Sequence, residues 1–267
     1  TLKVNYKNKK KLHEIQSYFC LIDLVDKIKI KKIKNIKDKI LFKGPFAKLV
    51  NKSNNSILSL FTLLRRLGLI SNFYSVTIVK NIPVFAGLGG GAANVATILK
   101  YLFKRKIRRS LLNQVEDRVG SDLKLFFYNQ GFMKNLGLIT NIKKKHKLFF
   151  LLIQPSVKCS TKEIYSRVKN YSKKKRLEEN RIKTQSKFIS YLSKNSNDLQ
   201  SIVEKKYPII KELLINIGNE KGCYFSRMTG SGSVCYGLFN NQIKAKKALN
   251  NLKTKYPKFW SSLAKTV

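Results

Sequence analysis

The chain has few acidic residues, cysteines and histidines. Of its 267 residues only 14 are Asp or Glu and two are His, whereas 55 are Lys or Arg, so the formal net charge is +41. The four cysteines show no C-x-x-C spacing and no adjacent histidine pair, which argues against a zinc site and for reduced thiols. No apolar run approaches the roughly 20 residues that a membrane-spanning helix needs. The composition therefore predicts a globular cytoplasmic protein with no membrane partner.

The first residues, Thr1 to Asn5, match no common targeting signal. They lack the apolar stretch of a secretory signal peptide and the amphipathic pattern of a transit peptide. They resemble the start of a strand and include no Met, so we expect that a few residues precede them.

Arginine is scarce among the basic residues. The chain has 10 Arg and 45 Lys, and the lysines are spread along its whole length together with many Asn and Ile. Base readout and bidentate phosphate contacts favour Arg, and a Lys, Asn and Ile bias is typical of drift in an A+T-rich genome. We therefore interpret the charge as solvated lysine faces, and a dedicated nucleic-acid surface is not favoured.

A glycine-rich segment over residues 83–94 follows a strand-like run at 74–80 and precedes a helix-like run at 95–103. Glycine lets successive N–H groups converge on one anion, and a following helix adds its unpaired N–H groups and the positive end of its dipole. The segment therefore predicts a polyphosphate site. Its members are Pro83, Val84, Phe85, Ala86, Gly87, Leu88, Gly89, Gly90, Gly91, Ala92, Ala93 and Asn94.

Two other phosphate motifs fit the segment less well. A P-loop requires G-x-x-x-x-G-K-[ST], and the chain contains neither Gly-Lys-Ser nor Gly-Lys-Thr. Residues 87–92 satisfy G-x-G-x-x-A, but a dinucleotide site needs an acidic residue about 20 positions further on, where residues 104–109 are basic. A simple connecting turn is disfavoured by a second glycine-rich turn at 230–232.

The remaining pattern predicts an α+β chain without regular βαβ alternation. Asn54 or Asn55 is placed to cap a helix over 57–67, and residues 160–163 fit a capping box. Residues 169–187, basic and poorly patterned, are expected to form an exposed helix or a mobile connection. Further predicted strands cover 17–24, 27–31, 148–153, 223–227 and 234–239, and further helices cover 111–119 and 242–255.

These motifs resemble the GHMP kinases. Pro-x-x-x-Gly-Leu-Gly-Gly-Gly at 83–91, followed by Asn94, resembles their ATP loop, and Met-Thr-Gly-Ser-Gly-Ser at 228–233 resembles their C-terminal glycine motif. Shorter matches in the family's order cover nearly the whole chain; they lie at 3–5, 13–14, 120–122, 160–165 and 197–199. The resemblance implies a two-lobed GHMP-kinase α+β fold with mixed and antiparallel sheets, an ATP-binding lobe over 1–150 and a C-terminal lobe over 151–267.

The resemblance also implies a reaction. ATP would phosphorylate the 2-hydroxyl, a tertiary alcohol, of a cytidyl-diphospho methylerythritol in non-mevalonate isoprenoid synthesis. The matched catalytic pair is Lys3 and Asp122: a carboxylate accepts the hydroxyl proton, and an ammonium would keep that carboxylate ionised and stabilise the alkoxide or the γ-phosphate. From the residues alone, the first interpretation of Asp122 is a helix N-cap after Gly120, and that of Lys3 is one more solvated lysine.

Five further positions match family sites. His13 matches a residue that hydrogen-bonds the base, Tyr165 matches an aromatic that stacks on it, and Asn5 and Thr161 match substrate-side positions. Asn55 matches an adenine-side asparagine. The resemblance implies ATP as its magnesium complex, although no acidic magnesium ligand is identifiable in the sequence.

The chain departs from the family pattern at two places. The hairpin before His13 is shortened to Lys9-Lys10-Lys11-Leu12, and Leu12 replaces a family Tyr, which could weaken base binding by about 1–3 kcal/mol. Ala92 and Ala93 stand where the family commonly has serines. The second histidine, His146, lies among lysines and is expected to be exposed.

Two alternatives stay open at this point. One is another GHMP small-molecule kinase, acting on homoserine, mevalonate or a sugar. The other is a basic nucleic-acid-binding protein on a degenerate kinase fold. The favoured hypothesis predicts a small-molecule substrate and a monomer or homodimer.

Overall fold

The computed structural model describes residues 1–8, 12–104, 107–176 and 182–267. The predictions for Lys9–Lys11 of the shortened hairpin and for 177–181 of the basic stretch lie outside these residues. The strands are β1 Lys3–Lys7, β2 His13–Cys20, β3 Lys27–Ile33, β4 Lys39–Lys43, β5 Phe73–Val79, β6 Gln130–Asn135, β7 Leu138–Asn141, β8 Phe149–Gln154, β9 Cys223–Met228, β10 Cys235–Phe239 and β11 Trp260–Lys265. The helices are α1 Ser56–Arg66, α2 Gly90–Phe103, α3 Arg109–Val119, α4 Thr161–Ser166, α5 Gln185–Ser193, α6 Gln200–Lys206, α7 Pro208–Gly218 and α8 Gln242–Lys255, with 3-10 helices at Ala47–Leu49 and Leu123–Phe127.

The chain divides into two compact units. Unit 1 comprises Thr1–Asp23, Phe85–Leu88 and Tyr128–Val267, and unit 2 comprises Leu24–Val84 and Gly89–Phe127. The units alternate along the chain, and the division into lobes at 1–150 and 151–267 stays a prediction.

Unit 1 contains two antiparallel four-stranded sheets, with strand orders β1-β2-β6-β7 and β11-β8-β10-β9. In the second sheet α7 packs on β9 and β10, and α8 packs on β8 and β11. Four consecutive residues of β8 are buried, as an apolar run covered on both faces requires. The predicted strand at 148–153 is therefore confirmed as a core strand.

Unit 2 contains a mixed three-stranded sheet of order β3-β5-β4, in which β3 is antiparallel and β4 parallel to β5. Along β3 exposed lysines alternate with half-buried isoleucines, because successive side chains of a strand point to opposite faces. The apolar residues of β5, α1, α2 and α3 form one buried cluster. Helices with antiparallel and mixed sheets confirm the α+β class.

Most predicted elements are confirmed. The glycine-rich segment lies between β5 and α2, as expected. Ser160 caps α4 by accepting a hydrogen bond from the Glu163 N–H at 3.4 Å. The Glu163 carboxylate instead accepts from Arg167 at 3.0 Å, so the described contacts form only one half of the predicted capping box.

The expectation that His146 is exposed is wrong. The residue is 2% exposed, and its ring stacks on Phe188 with 4.6 Å between centroids. The His146 N–H donates to Gln130 Oε1 at 2.9 Å, and Gln130 Nε2 donates to the His146 carbonyl at 2.6 Å. This pairing holds the histidine inside although its sequence neighbours are lysines.

The first part of the basic stretch, residues 169–176, is neither helical nor detached from the fold. The Ser172 N–H donates to the Val4 carbonyl at 2.7 Å, and the Lys175 N–H donates to Gln16 Oε1 at 2.8 Å. These two backbone N–H groups are therefore satisfied by the fold and not by water. The segment is thus hydrogen-bonded to β1 and to a side chain of β2.

Candidate functional site

In unit 2 the first turn of α2 has the features of an anion site. The N-cap residue Gly89 has a φ of +65°, and no side chain caps the helix. A Cβ added to Gly91 would meet only Ser56 Oγ, at 3.6 Å, so there is room beside this turn. Uncapped N–H groups and the positive end of the helix dipole favour a bound phosphate.

Asp122 lies next to this turn in the same unit. Its Oδ2 is 3.7 Å from the point that a Cβ on Gly89 would occupy, and the Phe126 ring is 2.9 Å from that point. The Asp122 carbonyl accepts from the Leu125 N–H at 3.1 Å and so opens the following 3-10 helix. The backbone of Asp122 therefore starts the 3-10 helix, while its carboxylate lies beside the start of α2.

The Asp122 side chain reaches solvent, but protein atoms also lie close to its carboxyl group. The residue is exposed, yet nearby protein atoms desolvate the carboxyl and raise its pKa above the usual value. Because the side chain is exposed, water screens its charge and limits the size of this effect. A raised pKa suits a general base, which accepts a proton best when its pKa lies near the working pH.

A buried polar cluster around Asp26 joins the end of β5 to α2. Lys80 forms an ion pair with Asp26 Oδ2, and the Asn94 amide donates to the same oxygen at 2.9 Å. Asp26 Oδ1 accepts from the backbone N–H groups of Asn81 at 2.8 Å and Ile82 at 2.9 Å. The Asn94 amide therefore makes an internal contact, and its predicted role toward ATP stays a prediction.

Asn55 is the N-cap of α1, one of the two caps expected. Its Oδ1 accepts from the N–H groups of Ile57 and Leu58, each at 3.1 Å. Its Nδ2 donates to the carbonyls of Asn51 and Lys52, at 3.3 and 3.2 Å. The cap explains this residue fully, and an adenine contact stays a prediction.

In unit 1 the short segment Phe85–Leu88 contacts the second glycine motif. The Ser233 N–H donates to the Phe85 carbonyl at 2.9 Å, and Thr229 Oγ1 donates to the Gly87 carbonyl at 2.9 Å. A Cβ on Gly87 would lie 2.3 Å from the Thr229 carbonyl oxygen. Only glycine permits this backbone approach, so Phe85–Leu88 of the glycine-rich segment packs directly on the second glycine motif within unit 1.

Lys3 is held by two partners, unlike a solvated surface lysine. Its Nζ donates to Asp198 Oδ1 at 2.9 Å and to Ser196 Oγ at 2.7 Å, and 17% of its side chain is exposed. Neither partner is a predicted site residue. The only sequence signal for Asp198 is its place in the 197–199 match to the family.

His13 and Tyr165 are brought together, as the resemblance implies. Their ring centroids are 5.2 Å apart, and the Tyr171 ring lies 6.1 Å from His13 on the loop that follows α4. Burial, with a smaller effect of Lys7, lowers the pKa of His13, so its imidazole is neutral at neutral pH. Its buried Nε2 has no hydrogen-bond partner among the described residues. Tyr171 carries no sequence motif and was not predicted.

The other two substrate-side candidates lie at separate points of unit 1. The buried Asn5 donates from Nδ2 to the Ser172 carbonyl at 3.0 Å, and its Oδ1 has no described partner. Thr161, the first residue of α4, has its Oγ1 2.9 Å from Ser231 Oγ. Thr161 is thereby joined to the second glycine motif.

Within the described residues, no group of three or more His, Cys, Asp or Glu side chains is arranged to hold a metal ion. The donor set does not form a protein cage for magnesium, so a metal ligand is not assigned. None of the helices in the described ranges is long and apolar enough to cross a membrane.

Family models match both parts of the chain: "GHMP kinases N terminal domain" at residues 55–120 and "GHMP kinases C terminal" at 174–258. A 4-diphosphocytidyl-2-C-methyl-D-erythritol kinase of Pelagibacter ubique (strain HTCC1062) is 33% identical, over 97% of this chain and 92% of that protein. One from Caldanaerobacter subterraneus subsp. tengcongensis is 30% identical, over 100% and 93%.

A solved structure supports the same fold. The crystal structure of a 4-(cytidine 5'-diphospho)-2C-methyl-D-erythritol kinase matches with a TM-score of 0.73 at 20% identity, covering 98% of this chain and 94% of that one. At 20% identity this structural match supports only the fold, whereas the two sequence relatives show the family. The chain therefore belongs to the GHMP kinase family, in the group of 4-diphosphocytidyl-2-C-methyl-D-erythritol kinases.

Proposed function

We propose that this protein transfers the γ-phosphoryl group of ATP to the 2-hydroxyl of 4-diphosphocytidyl-2-C-methyl-D-erythritol, a step of non-mevalonate isoprenoid synthesis. The support is near full-length kinship with kinases of that name. The structural observation that carries it is the Asp122 carboxylate beside Gly89 at the uncapped start of α2. We further propose a cytoplasmic monomer or homodimer.

The proposed chemistry assigns one task to each group. The first-turn N–H groups of α2 bind phosphate oxygens, and Asp122 accepts the proton of the attacking hydroxyl. The new O–P bond forms as the bond from the γ-phosphorus to the bridging oxygen breaks, and ADP leaves. The Lys3 ammonium stabilises the negative charge of the transferring group or the alkoxide. Magnesium, bound through the nucleotide phosphates, would neutralise part of the phosphate charge.

The cytidine end of the substrate is assigned to unit 1. A neutral His13 can donate or accept a hydrogen bond with the base, and Tyr165 supplies an aromatic face for stacking. Asn5 has a buried acceptor without a described partner, and Thr161 has a hydroxyl on the first turn of α4. These four residues are proposed as substrate contacts.

The direct test is ATP-dependent phosphorylation of the named substrate by the purified protein, with an Asp122→Asn variant alongside. We expect turnover by the wild type and a loss on the order of 10²–10⁴ in the variant, with an unchanged fold by circular dichroism. Asp117→Asn is the matched control, because Asp117 is an exposed aspartate of α3 in the same unit and close in sequence.

The outcomes separate the reaction from the residue. If Asp122→Asn turns the substrate over as fast as the wild type does, the proposed reaction is supported but Asp122 is not the base. ATP binding without turnover of this substrate directs the search to other GHMP kinase substrates, such as homoserine or mevalonate. If the protein neither binds ATP nor turns over the substrate, the proposed function is contradicted.

A further inference from the structure

We propose that Asp198 is a positioning residue for phosphoryl transfer. Its carboxylate fixes the Lys3 ammonium and the adjoining backbone of β1, and it acts on the reaction only through Lys3. This inference rests on the proposed function, in which Lys3 stabilises the charge of the transferring group.

The Asp198 carboxylate is a junction of three segments of unit 1. Oδ1 accepts from Lys3 Nζ at 2.9 Å, and Oδ2 accepts from the Val4 N–H at 2.9 Å and from Ser172 Oγ at 2.7 Å. The Asp198 N–H donates to the Leu2 carbonyl at 2.9 Å. A single residue therefore contacts three consecutive residues of the chain start and the segment after α4.

The contacts leave the lysine one donor for a ligand. An ammonium group carries three N–H donors. Asp198 and Ser196 accept two of them, and the described chain provides no third acceptor for Lys3. The third donor is the one with which Lys3 would contact a phosphate oxygen or the attacking oxygen.

Fixed geometry is what distinguishes Lys3 from a solvated surface lysine. Positive charge is abundant, but a lysine side chain is flexible and loses considerable rotamer entropy when it is held in one place. Lys3 and Asp198 are 17% and 16% exposed, so their pairing takes place largely out of solvent. A pre-positioned donor avoids reorganisation during the reaction.

A double-mutant cycle of Lys3→Met and Asp198→Asn tests this role. Misplacement of a reacting group costs up to about 10²-fold, so we expect Asp198→Asn to lower kcat on the order of 10- to 100-fold. KM for ATP and for the cytidyl substrate should stay within about threefold. In the Lys3→Met background the same change should have little further effect, because residues that act as a unit are not additive.

Two further variants keep the test decisive. Glu204→Gln is the matched control, since Glu204 lines the same cavity of about 540 Å³ as Asp198 and bonds Gln200 rather than Lys3; its kcat should equal the wild-type value. If Asp198→Asn does not fold, Ser196→Ala replaces it in the cycle, because this change removes only the second acceptor of Lys3.

Each outcome is decisive. Losses of kcat that disappear in the Lys3→Met background support the proposal. Wild-type kcat in Asp198→Asn, or losses that add fully to that of Lys3→Met, overturn it while the wild-type turnover leaves the proposed function intact. Absence of wild-type turnover overturns the proposed function and the role of Asp198 together.

Discussion

The Asn94 amide donates a hydrogen bond of 2.9 Å to the Asp26 carboxylate, which also forms a buried ion pair with Lys80. Asn94 lies on α2, and Lys80 follows β5 directly, so Asp26 fastens both sides of the glycine-rich segment. Lys80 Nζ is 3.3 Å from the point that a Cβ on Gly90 would occupy. The start of α2 is thus held by a polar cluster inside unit 2.

Removing the Asp26 charge should destabilise the protein strongly. In Asp26→Asn the Lys80 ammonium stays buried without its counter-charge, and breaking a buried pair in this way costs about 3–5 kcal/mol. Chemical denaturation would measure the change in the free energy of unfolding. The exposed Asp117→Asn variant should change it little, and an equally small change in Asp26→Asn would contradict this role.

Replacing Gly87 should cost more than replacing a glycine of the same backbone conformation elsewhere. Gly87 and Gly68 have φ values of +68° and +65°, but a Cβ clashes with the Thr229 carbonyl at Gly87 and meets nothing within 4 Å at Gly68. Gly68→Ala should cost about 1–2 kcal/mol from the left-handed conformation alone. Gly87→Ala adds a steric cost of roughly 1–3 kcal/mol. Thermal or denaturant unfolding of both variants measures the difference, and equal losses would exclude the clash.

The activity should decline on the acid side at a higher pH than an ordinary aspartate would cause. Desolvation raises the pKa of Asp122, so as the pH falls this base becomes protonated earlier and cannot accept the hydroxyl proton. The pH profile of kcat measures the position of this decline. A His13→Gln variant should keep the same position, since the pKa of His13 is lowered by burial. A decline that moves in that variant would assign the titration to His13.

Removing the Tyr165 ring should weaken binding of the cytidyl substrate and leave ATP binding unchanged. Stacking of an aromatic side chain on a base contributes about 1–3 kcal/mol, so Tyr165→Ala should raise KM for this substrate roughly 5- to 150-fold. Tyr165→Phe should retain most of the affinity. Tyr224→Ala removes an exposed tyrosine of β9 and serves as the control. Steady-state kinetics with each substrate varied in turn distinguishes a binding effect from a general loss of activity.

Local features of this fold were predictable from the sequence because they depend on residues a few positions apart. The Asn55 cap uses N–H groups two and three residues on, the lysine and isoleucine alternation of β3 follows the strand period, and the glycine-rich segment connects β5 to α2. The family resemblance added the positions of Lys3 and Asp122.

The sequence by itself determined most of the helices, the glycine motifs and the residue types available for catalysis, but it did not predict β4, β6, β7 or β11. Only the tertiary structure decided their partners: Asp198 meets Lys3 across 195 positions, Thr229 meets Gly87 across 142, and Asn94 meets Asp26 across 68. It also buried His146 against Phe188 despite the neighbouring lysines. Capping and periodicity act over one or two turns of chain, whereas these contacts depend on the path of the whole chain, which no local pattern encodes.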